Sequence, residues 1–188
     1  MSRFDHFDFL APLYDRVIRI PEDDRLGELL GLPIEGRLLD AGGGTGRIAE
    51  GLKDRVAHLT IADASLPMLR KAHEKACCDV AGAHTERLPF AEDSFDRVIV
   101  IDAYHHLGDQ PESLREFVRV LNPGGWLVIE EPDIDHFGVK LVALAEKVAF
   151  MRSHFERAEQ IARRLEAMDV SVEIAREGHN YWVVATKV

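Results

Sequence analysis

The stretch of sequence best suited to chemistry is a glycine-rich run that directly follows an apolar segment. It reads LLDAGGGTG, and within it Asp40 precedes Gly42, Gly44 and Gly46. Glycine lets the backbone turn sharply and lets a ligand lie against it, and a helix that begins beyond such a turn has free N–H groups at its start. The run therefore predicts a ligand-binding loop between a strand and a helix, with a carboxylate at its edge.

A second acidic residue, Asp63, ends the next apolar segment, about 20 residues beyond the loop. In dinucleotide-binding enzymes an acid at this place accepts hydrogen bonds from ribose hydroxyls. The loop has the spacing Gly-x-Gly-x-Gly, which fits the dinucleotide fingerprint Gly-x-Gly-x-x-Gly only loosely. The loop and Asp63 together predict a ligand with adenosine at one end. The structural alternatives are that Asp40 caps the turn and that Asp63 caps the following helix.

The segment IDAYHHL places further reactive side chains after another apolar run. Tyr104, His105 and His106 are candidates for acid–base chemistry, because histidine has a pKa near neutrality. The structural alternative is that one histidine packs beneath the following loop while the other faces solvent. No metal is predicted, because adjacent histidines diverge and the pair His73 and Cys77 has no further ligands toward a four-ligand zinc site.

The elements that must hold these residues alternate along the middle of the chain. Short apolar runs read as strands, and the segments between them follow the helical period. Near-continuous apolar strands that alternate with helices are typical of a parallel sheet covered on both faces. The predicted strands span 37–41, 57–63, 79–84, 95–103 and 125–132, and the predicted helices between them span 46–54, 66–76 and 111–121.

The two ends of the chain follow other patterns. Two helices are predicted before the first strand and two after the last parallel strand, and Ser153 and Glu156 have the spacing of a capping box. Two strand-like runs with a glycine-containing turn between them predict an antiparallel hairpin near the end of the sequence. The four helices are predicted over 7–20, 23–32, 138–151 and 153–168, and the hairpin over 170–187.

Composition and charge narrow the class of protein. The 188 residues suit one domain, and a formal net charge of −10 without a basic tract makes nucleic acid an unfavoured partner. The two cysteines are adjacent, which predicts no disulfide framework and fits a reducing compartment. Charges interrupt the apolar residues of the N-terminus, so we predict no signal peptide, no membrane insertion and a cytoplasmic location.

Four segments in a fixed order resemble the motifs of the class I S-adenosylmethionine-dependent methyltransferases. They are similar to the family's cofactor loop, its ribose-binding strand end, its adenine-side loop with the fourth strand, and its last helix with the fifth strand. The resemblance is closest to the small branch that includes the ubiquinone and menaquinone C-methyltransferases. The four segments are LLDAGGGTG (38–46), IADAS (61–65), ERLPFAEDSFDRVIVIDAYHHL (86–107) and LREFVRVLNPGGWLVIEEPD (114–133).

The resemblance implies a fold and a domain layout. We expect an α/β, Rossmann-like, doubly wound sheet of seven strands, mostly parallel, with the antiparallel C-terminal hairpin at its end. We expect a single methyltransferase domain over 1–188, with N-terminal helices in 1–34 and the α/β core in 35–188. The apolar helix predicted between Val139 and Met151 could pack in the core, line the acceptor site or form the interface of a homodimer, and packing in the core is favoured.

The resemblance also implies the cofactor, S-adenosylmethionine, and the residues that bind it. Loop amides suit the carboxylate of its amino-acid tail, Asp40 suits the ammonium, and Asp63 suits the ribose. His84 departs from the family, which usually has Asp or Asn at this place for the adenine amino group. The expected cofactor residues are Asp40, Ala41, Gly42, Gly44, Gly46, Asp63, Ala64, His84, Thr85, Glu86, Ile101 and Asp102.

The function implied is transfer of a methyl group to a small-molecule acceptor, with Tyr104, His105 and His106 as the candidate catalytic residues. Members of the family often have a histidine in this segment without a catalytic duty. A cofactor-binding protein without catalysis is the main alternative, which His84 and the short region 132–152 favour slightly. A nucleotide-cofactor oxidoreductase is a further alternative, and both the loop spacing and the NPGG turn before the fifth strand count against it.

Overall fold

The computed structural model describes residues 24–134 and 154–188, and all of its strands join one mixed sheet. The order across the sheet is β3-β2-β1-β4-β5-β7-β6, in which β7 is antiparallel to both of its neighbours and the other pairs are parallel. The strands are β1 (Ile34–Ala41), β2 (Val56–Asp63), β3 (Asp79–Gly82), β4 (Phe95–Ile101), β5 (Leu121–Pro132), β6 (Val170–Glu177) and β7 (Asn180–Lys187).

Helices cover both faces of this sheet. Their apolar side chains and those of the strands form two buried clusters, one on each side, because consecutive strand residues point to opposite faces. Phe117 and Ile161 pack with Val98 on one side, and Leu30 and Ala49 belong to the cluster on the other. The helices are α1 (Arg25–Leu30), α2 (Arg47–Leu52), α3 (Leu66–Glu74), α4 (Gln110–Val120) and α5 (Ala158–Glu166).

This architecture confirms the predicted fold class. The strand order turns back between β1 and β4, the place where ligands bind in open α/β sheets, at the carboxyl ends of the strands. The predicted hairpin is formed by β6 and β7, and Ser65 caps α3 by accepting a hydrogen bond from the Met68 N–H at 3.4 Å. Among the described residues, none of the helices combines the length and the apolar character needed to cross a membrane.

The start of the last helix differs from the prediction. The helix begins at Ala158 rather than near Ser153, and the capping box predicted for Glu156 is wrong. The physical reason is that the residues before it bond elsewhere: the His154 N–H donates to the His105 carbonyl at 2.7 Å, and the Glu156 carbonyl accepts from the Tyr181 hydroxyl at 2.8 Å. The helices predicted over 7–20 and 138–151 lie outside the described residues.

Candidate active site

The glycine-rich loop lies between β1 and α2, at the turning point of the strand order. Gly42, Gly44 and Gly46 have φ angles of 76°, 54° and 73°, in the left-handed region that favours glycine. A Cβ on Gly46 would lie 2.8 Å from the Ile61 Cδ1, so this position also needs a residue without a side chain. The sequence therefore forms a tight loop of bare backbone at the predicted place.

We expect Gly46→Ala to lower the free energy of unfolding more than Gly124→Ala does. Both positions have nearly equal positive φ angles, 73° and 75°, but a Cβ on Gly124 would meet nothing within 4 Å. Each substitution should cost about 1–2 kcal/mol for the left-handed backbone, and Gly46→Ala should cost about 1–3 kcal/mol more for overpacking. Urea denaturation of both variants measures the difference, and equal losses would contradict the close contact.

Asp63 ties the loop to the next strand. Its Oδ2 accepts a hydrogen bond from the Gly44 N–H at 2.9 Å, and its Oδ1 accepts one from the Ser65 N–H at 2.7 Å. The structural alternative for Asp63 therefore holds in part, because this carboxylate does bond the backbone at the start of α3. A carboxylate accepts hydrogen bonds at both of its oxygens, which is also the chemistry that a pair of ribose hydroxyls requires.

Asp40 lies beneath the loop with one oxygen unused. Its side chain is 1% exposed, and among the described residues its Oδ2 has no hydrogen-bond partner. A Cβ on Gly43 would lie 2.5 Å from the Asp40 Cγ, so a glycine at this position leaves room for the Asp40 carboxylate. Burial, and then the charge of Asp63, raise the pKa of Asp40 to about 7, while Arg47 opposes the shift. A buried carboxylate oxygen of this kind fits the ammonium group of a ligand.

Asp102 adds a further acid to the same edge of the sheet. It follows β4 with a φ of 53°, and burial raises its pKa to about 6, with opposing contributions from His105, which lowers it, and Glu131, which raises it. Asp40, Asp63 and Asp102 thus follow or end neighbouring parallel strands. An acidic edge fits a ligand with net positive charge, which S-adenosylmethionine has through its sulfonium and ammonium groups.

The adenine side matches the prediction only in part. The Thr85 hydroxyl is buried and lies 2.8 Å from the Ser113 hydroxyl, and the Glu86 Oε1 accepts the Asp109 N–H at 2.9 Å. Both side chains therefore tie this loop to the start of α4 and the residue before it, and their role in cofactor binding stays a prediction. Of the three predicted residues only His84 has an exposed side chain. Ala64, also predicted, is exposed beside Asp63, whereas Ala41 is fully buried and Ile101 half-buried at their strand ends.

Two of the three predicted catalytic side chains are buried. Tyr104 belongs to the core, its hydroxyl lies 3.4 Å from the Glu156 Oε2, and burial raises its pKa, so its catalytic role stays a prediction that this burial does not favour. The His105 side chain is 3% exposed and its Nδ1 lies 2.5 Å from the Glu131 Oε2. His106 is half-buried, and burial, followed by the charge of His105, lowers its pKa to about 3. His106 is therefore a neutral imidazole near neutral pH.

Glu131 is the site residue that the sequence reasoning missed. It is 1% exposed on β5, and its Oε1 accepts the Tyr104 N–H at 2.8 Å. The available signal was the pair of acids that ends an apolar strand, since a buried carboxylate requires hydrogen-bond donors or a cation. Within the described residues no group of three or more His, Cys, Asp or Glu is placed to hold a metal ion.

Comparison with known proteins agrees with this geometry. A family model described as "Methyltransferase domain" matches residues 39–129. Two solved methyltransferases share the fold: one from Thermotoga maritima, at 22% identity and a TM-score of 0.80, covers 97% of this chain and 98% of its own. The other, from Haloferax volcanii in complex with the Trm112 activator, has 17% identity, a TM-score of 0.82 and coverage of 98% and 99%. Over residues 39–129 the chain is therefore similar to methyltransferases, and the two solved structures have the same fold as this chain.

The curated relatives that the chain matches have narrower names. A demethylmenaquinone methyltransferase from Mycobacterium marinum is 41% identical over 95 residues, which are 50% of this chain and 41% of the relative. A ubiquinone/menaquinone biosynthesis C-methyltransferase from Geotalea daltonii is 34% identical over 66% of this chain and 60% of its own length. The chain thus spans between about two fifths and three fifths of these relatives.

Proposed function

We propose that this protein transfers a methyl group from S-adenosylmethionine to a small-molecule acceptor. The observation that carries the proposal is the buried Oδ2 of Asp40, which has no hydrogen-bond partner in the part of the chain that the structure describes and lies beneath a loop of bare backbone. That arrangement suits the amino-acid end of the cofactor, where a cation and a carboxylate lie together. The motifs and the family match support the same assignment.

Each group of the proposed cofactor site has its own task. Asp40 holds the ammonium group, and Asp63 holds the ribose while it fixes the loop through Gly44. The N–H groups of Gly42, Gly44 and Gly46 already donate within the protein, so the carboxylate of the cofactor falls to other groups near the loop. His84 is the exposed side chain on the adenine side. When bound, S-adenosylmethionine supplies a methyl carbon that is electrophilic because it is attached to a positively charged sulfur.

On the acceptor side we propose His106 as the general base. Its imidazole follows β4, and its pKa lies far below neutrality, so the ring is unprotonated near neutral pH and has the form that a base requires. Its low pKa also makes it a weak base, so it can move only a proton that is already acidic in the bound acceptor. Tyr104 is left out of this role because its side chain is buried in the core.

The names of the relatives favour acceptors of the quinol type over other small molecules, although the match covers only part of their length. A cytoplasmic location, a homodimer and the absence of nucleic acid among the partners stay predictions. The alternative of a cofactor-binding protein without catalysis is favoured by one observation: on the adenine side, Thr85 and Glu86 bond to Ser113 and Asp109 within the protein.

The experiment is a panel of phenols, quinols, enols and amines, assayed by the S-adenosylhomocysteine that forms, alongside calorimetric titration of the cofactor. Turnover with any acceptor supports the proposal. For that acceptor we expect His106→Gln to lower kcat by at most about 10²-fold, the lower end of the usual contribution of a general base, because the pKa of His106 lies far from neutrality; cofactor affinity should change little. Cofactor binding without turnover across the panel supports the non-catalytic alternative, and no binding at all contradicts both.

A further inference from the structure

A single buried carboxylate holds the turn that carries the three predicted catalytic residues. This turn, Tyr104–His106, follows β4, and Glu131 lies beside it on β5. One oxygen of Glu131 accepts the Tyr104 N–H at 2.8 Å and the other lies 2.5 Å from the His105 Nδ1. Both oxygens are therefore used to fix a turn of three residues, which a hydrophobic side chain could not do.

The same turn anchors a second segment, residues 154–157, which we call the anchor segment. The His105 carbonyl accepts the His154 N–H at 2.7 Å, and the Phe155 ring stacks on the His105 ring with centroids 4.3 Å apart and planes inclined by 14°. The Gln110 Nε2 donates to the carbonyls of both Tyr104 and His154, at 2.9 and 2.8 Å. His105 therefore contacts Glu131 and the anchor segment together.

His106 lies next to this arrangement and depends on it. The rings of His105 and His106 have centroids 3.9 Å apart, and the charge of His105 helps to keep His106 unprotonated. Other charged groups act on the same turn and its neighbours from the surrounding elements. They are Asp102 after β4, Glu130 on β5, Arg47 on α2, Glu156 in the anchor segment and Arg164 on α5.

We propose that Glu131 is a positioning residue of the acceptor side, which acts through His105 to hold the His106 imidazole and the anchor segment in place. This inference rests on the proposed methyltransferase function. Glu131 is 1% exposed, so it does not touch an acceptor itself. Without Glu131, the His105 imidazole loses the carboxylate that favours its charged form, so the charge of His105 no longer lowers the pKa of His106. The Phe155 ring, which stacks on His105, is then held less firmly.

The test compares Glu131→Gln with Glu130→Gln, the adjacent acid on the same strand. Glu130 is the matched control because its oxygens also accept two side-chain hydrogen bonds, from Asn180 and Trp182, at 2.8 and 2.9 Å. NMR titration of the imidazoles should show the pKa of His106 move upward from about 3 in Glu131→Gln and stay in place in Glu130→Gln. Identical titrations in the two variants overturn the proposal.

A kinetic measurement with an acceptor from the panel gives an independent arm. We expect Glu131→Gln to lower kcat at least tenfold and to leave the KM for S-adenosylmethionine unchanged, because the cofactor loop is not touched. A raised KM with an unchanged kcat overturns the proposal. Glu131→Asp, which keeps the charge on a shorter side chain, should restore part of the kcat.

One measurement needs no variant and no acceptor. An imidazole N–H bonded to a carboxylate at such a short distance gives a proton resonance far downfield, and we expect it for the His105 Nδ1 in the unaltered protein at neutral pH. Its absence overturns the inference even if Glu131→Gln does not fold. Failure of the cofactor titration in the same sample contradicts the proposed function instead, so the two failures are distinguishable.

Discussion

Asp40→Asn is expected to stabilise the ligand-free protein at pH 8 while it weakens binding of S-adenosylmethionine. The folded state raises the pKa of Asp40 from 3.8 to about 7, mainly by burial. Between these two pKa values the folded state binds a proton that the unfolded state has released, so stability falls as pH rises through this window. Above about pH 7 the penalty is complete and amounts to roughly 4 kcal/mol, most of which Asn should remove.

The same carboxylate should make cofactor binding depend on pH. The ammonium of the cofactor favours ionised Asp40, so affinity should rise by up to about tenfold per pH unit from about pH 5 to pH 7 and then level off. In Asp40→Asn the profile should be flat, and affinity near pH 8 should be about 10- to 150-fold lower, since a hydrogen bond to a charged group is worth about 1.5–3 kcal/mol.

Urea denaturation and calorimetry at matched pH values measure both effects. Asp54→Asn is the control, because Asp54 is exposed and lies in the turn that follows α2. It should change neither stability nor binding. Destabilisation by Asp40→Asn at pH 8 would contradict this prediction. A cofactor affinity that changes neither with pH nor with the substitution would also contradict it, because Asp40 would then not bind the ammonium group.

Asp63→Ala should weaken binding of S-adenosylhomocysteine by about 10- to 150-fold, from the loss of charge-assisted hydrogen bonds to the ribose. The structure adds a second route to the same loss, because Asp63 also holds the Gly44 N–H that shapes the loop. Weakened binding alone therefore does not identify the ribose as the partner. Asp79→Ala, at an exposed acid that begins β3, is the control and should bind as the unaltered protein does.

A ligand cycle separates the two routes. S-adenosylhomocysteine and its 2′-deoxyribose analogue are titrated into the unaltered protein and into Asp63→Ala. If Asp63 bonds the ribose, the unaltered protein should prefer the normal ligand and the variant should lose that preference, because interacting groups give non-additive effects. An equal preference in both proteins would mean that Asp63 acts on the loop alone.

The sheet and the cofactor loop could be predicted because their signals are local. An apolar run marks a buried strand, and glycines at the end of β1 mark a loop with positive φ wherever the rest of the chain lies. The ordered motifs supplied the doubly wound sheet of seven strands indirectly, through a family of similar sequences. The hairpin of β6 and β7 was also a local signal, since a glycine-containing turn lies between two strand-like runs.

The acceptor side could not be predicted in the same way, because its contacts join distant parts of the chain. Glu131 meets His105 across 26 residues, and Gln110 meets His154 across 44. Contacts between residues far apart in the sequence also explain the start of α5. There, hydrogen bonds of His154 and Glu156 to distant residues replace the expected capping box. The hydrogen bonds of Thr85 and Glu86 to Ser113 and Asp109 could not be predicted either, because a position in a motif does not tell which way a side chain points.

The position of β7 bears on how the molecule is made. β7 follows β6 in the chain but lies between β5 and β6 in the sheet, and it gives Glu130 its Asn180 partner 50 residues later. Until the ribosome has synthesised β7, β5 is an edge strand whose backbone groups on that side are unpaired. Glu130 then also lacks its hydrogen-bond donors Asn180 and Trp182. An open apolar edge is a template for pairing with other chains. Nascent chains released before β7 should therefore aggregate, whereas chains released after it should assemble the sheet unaided.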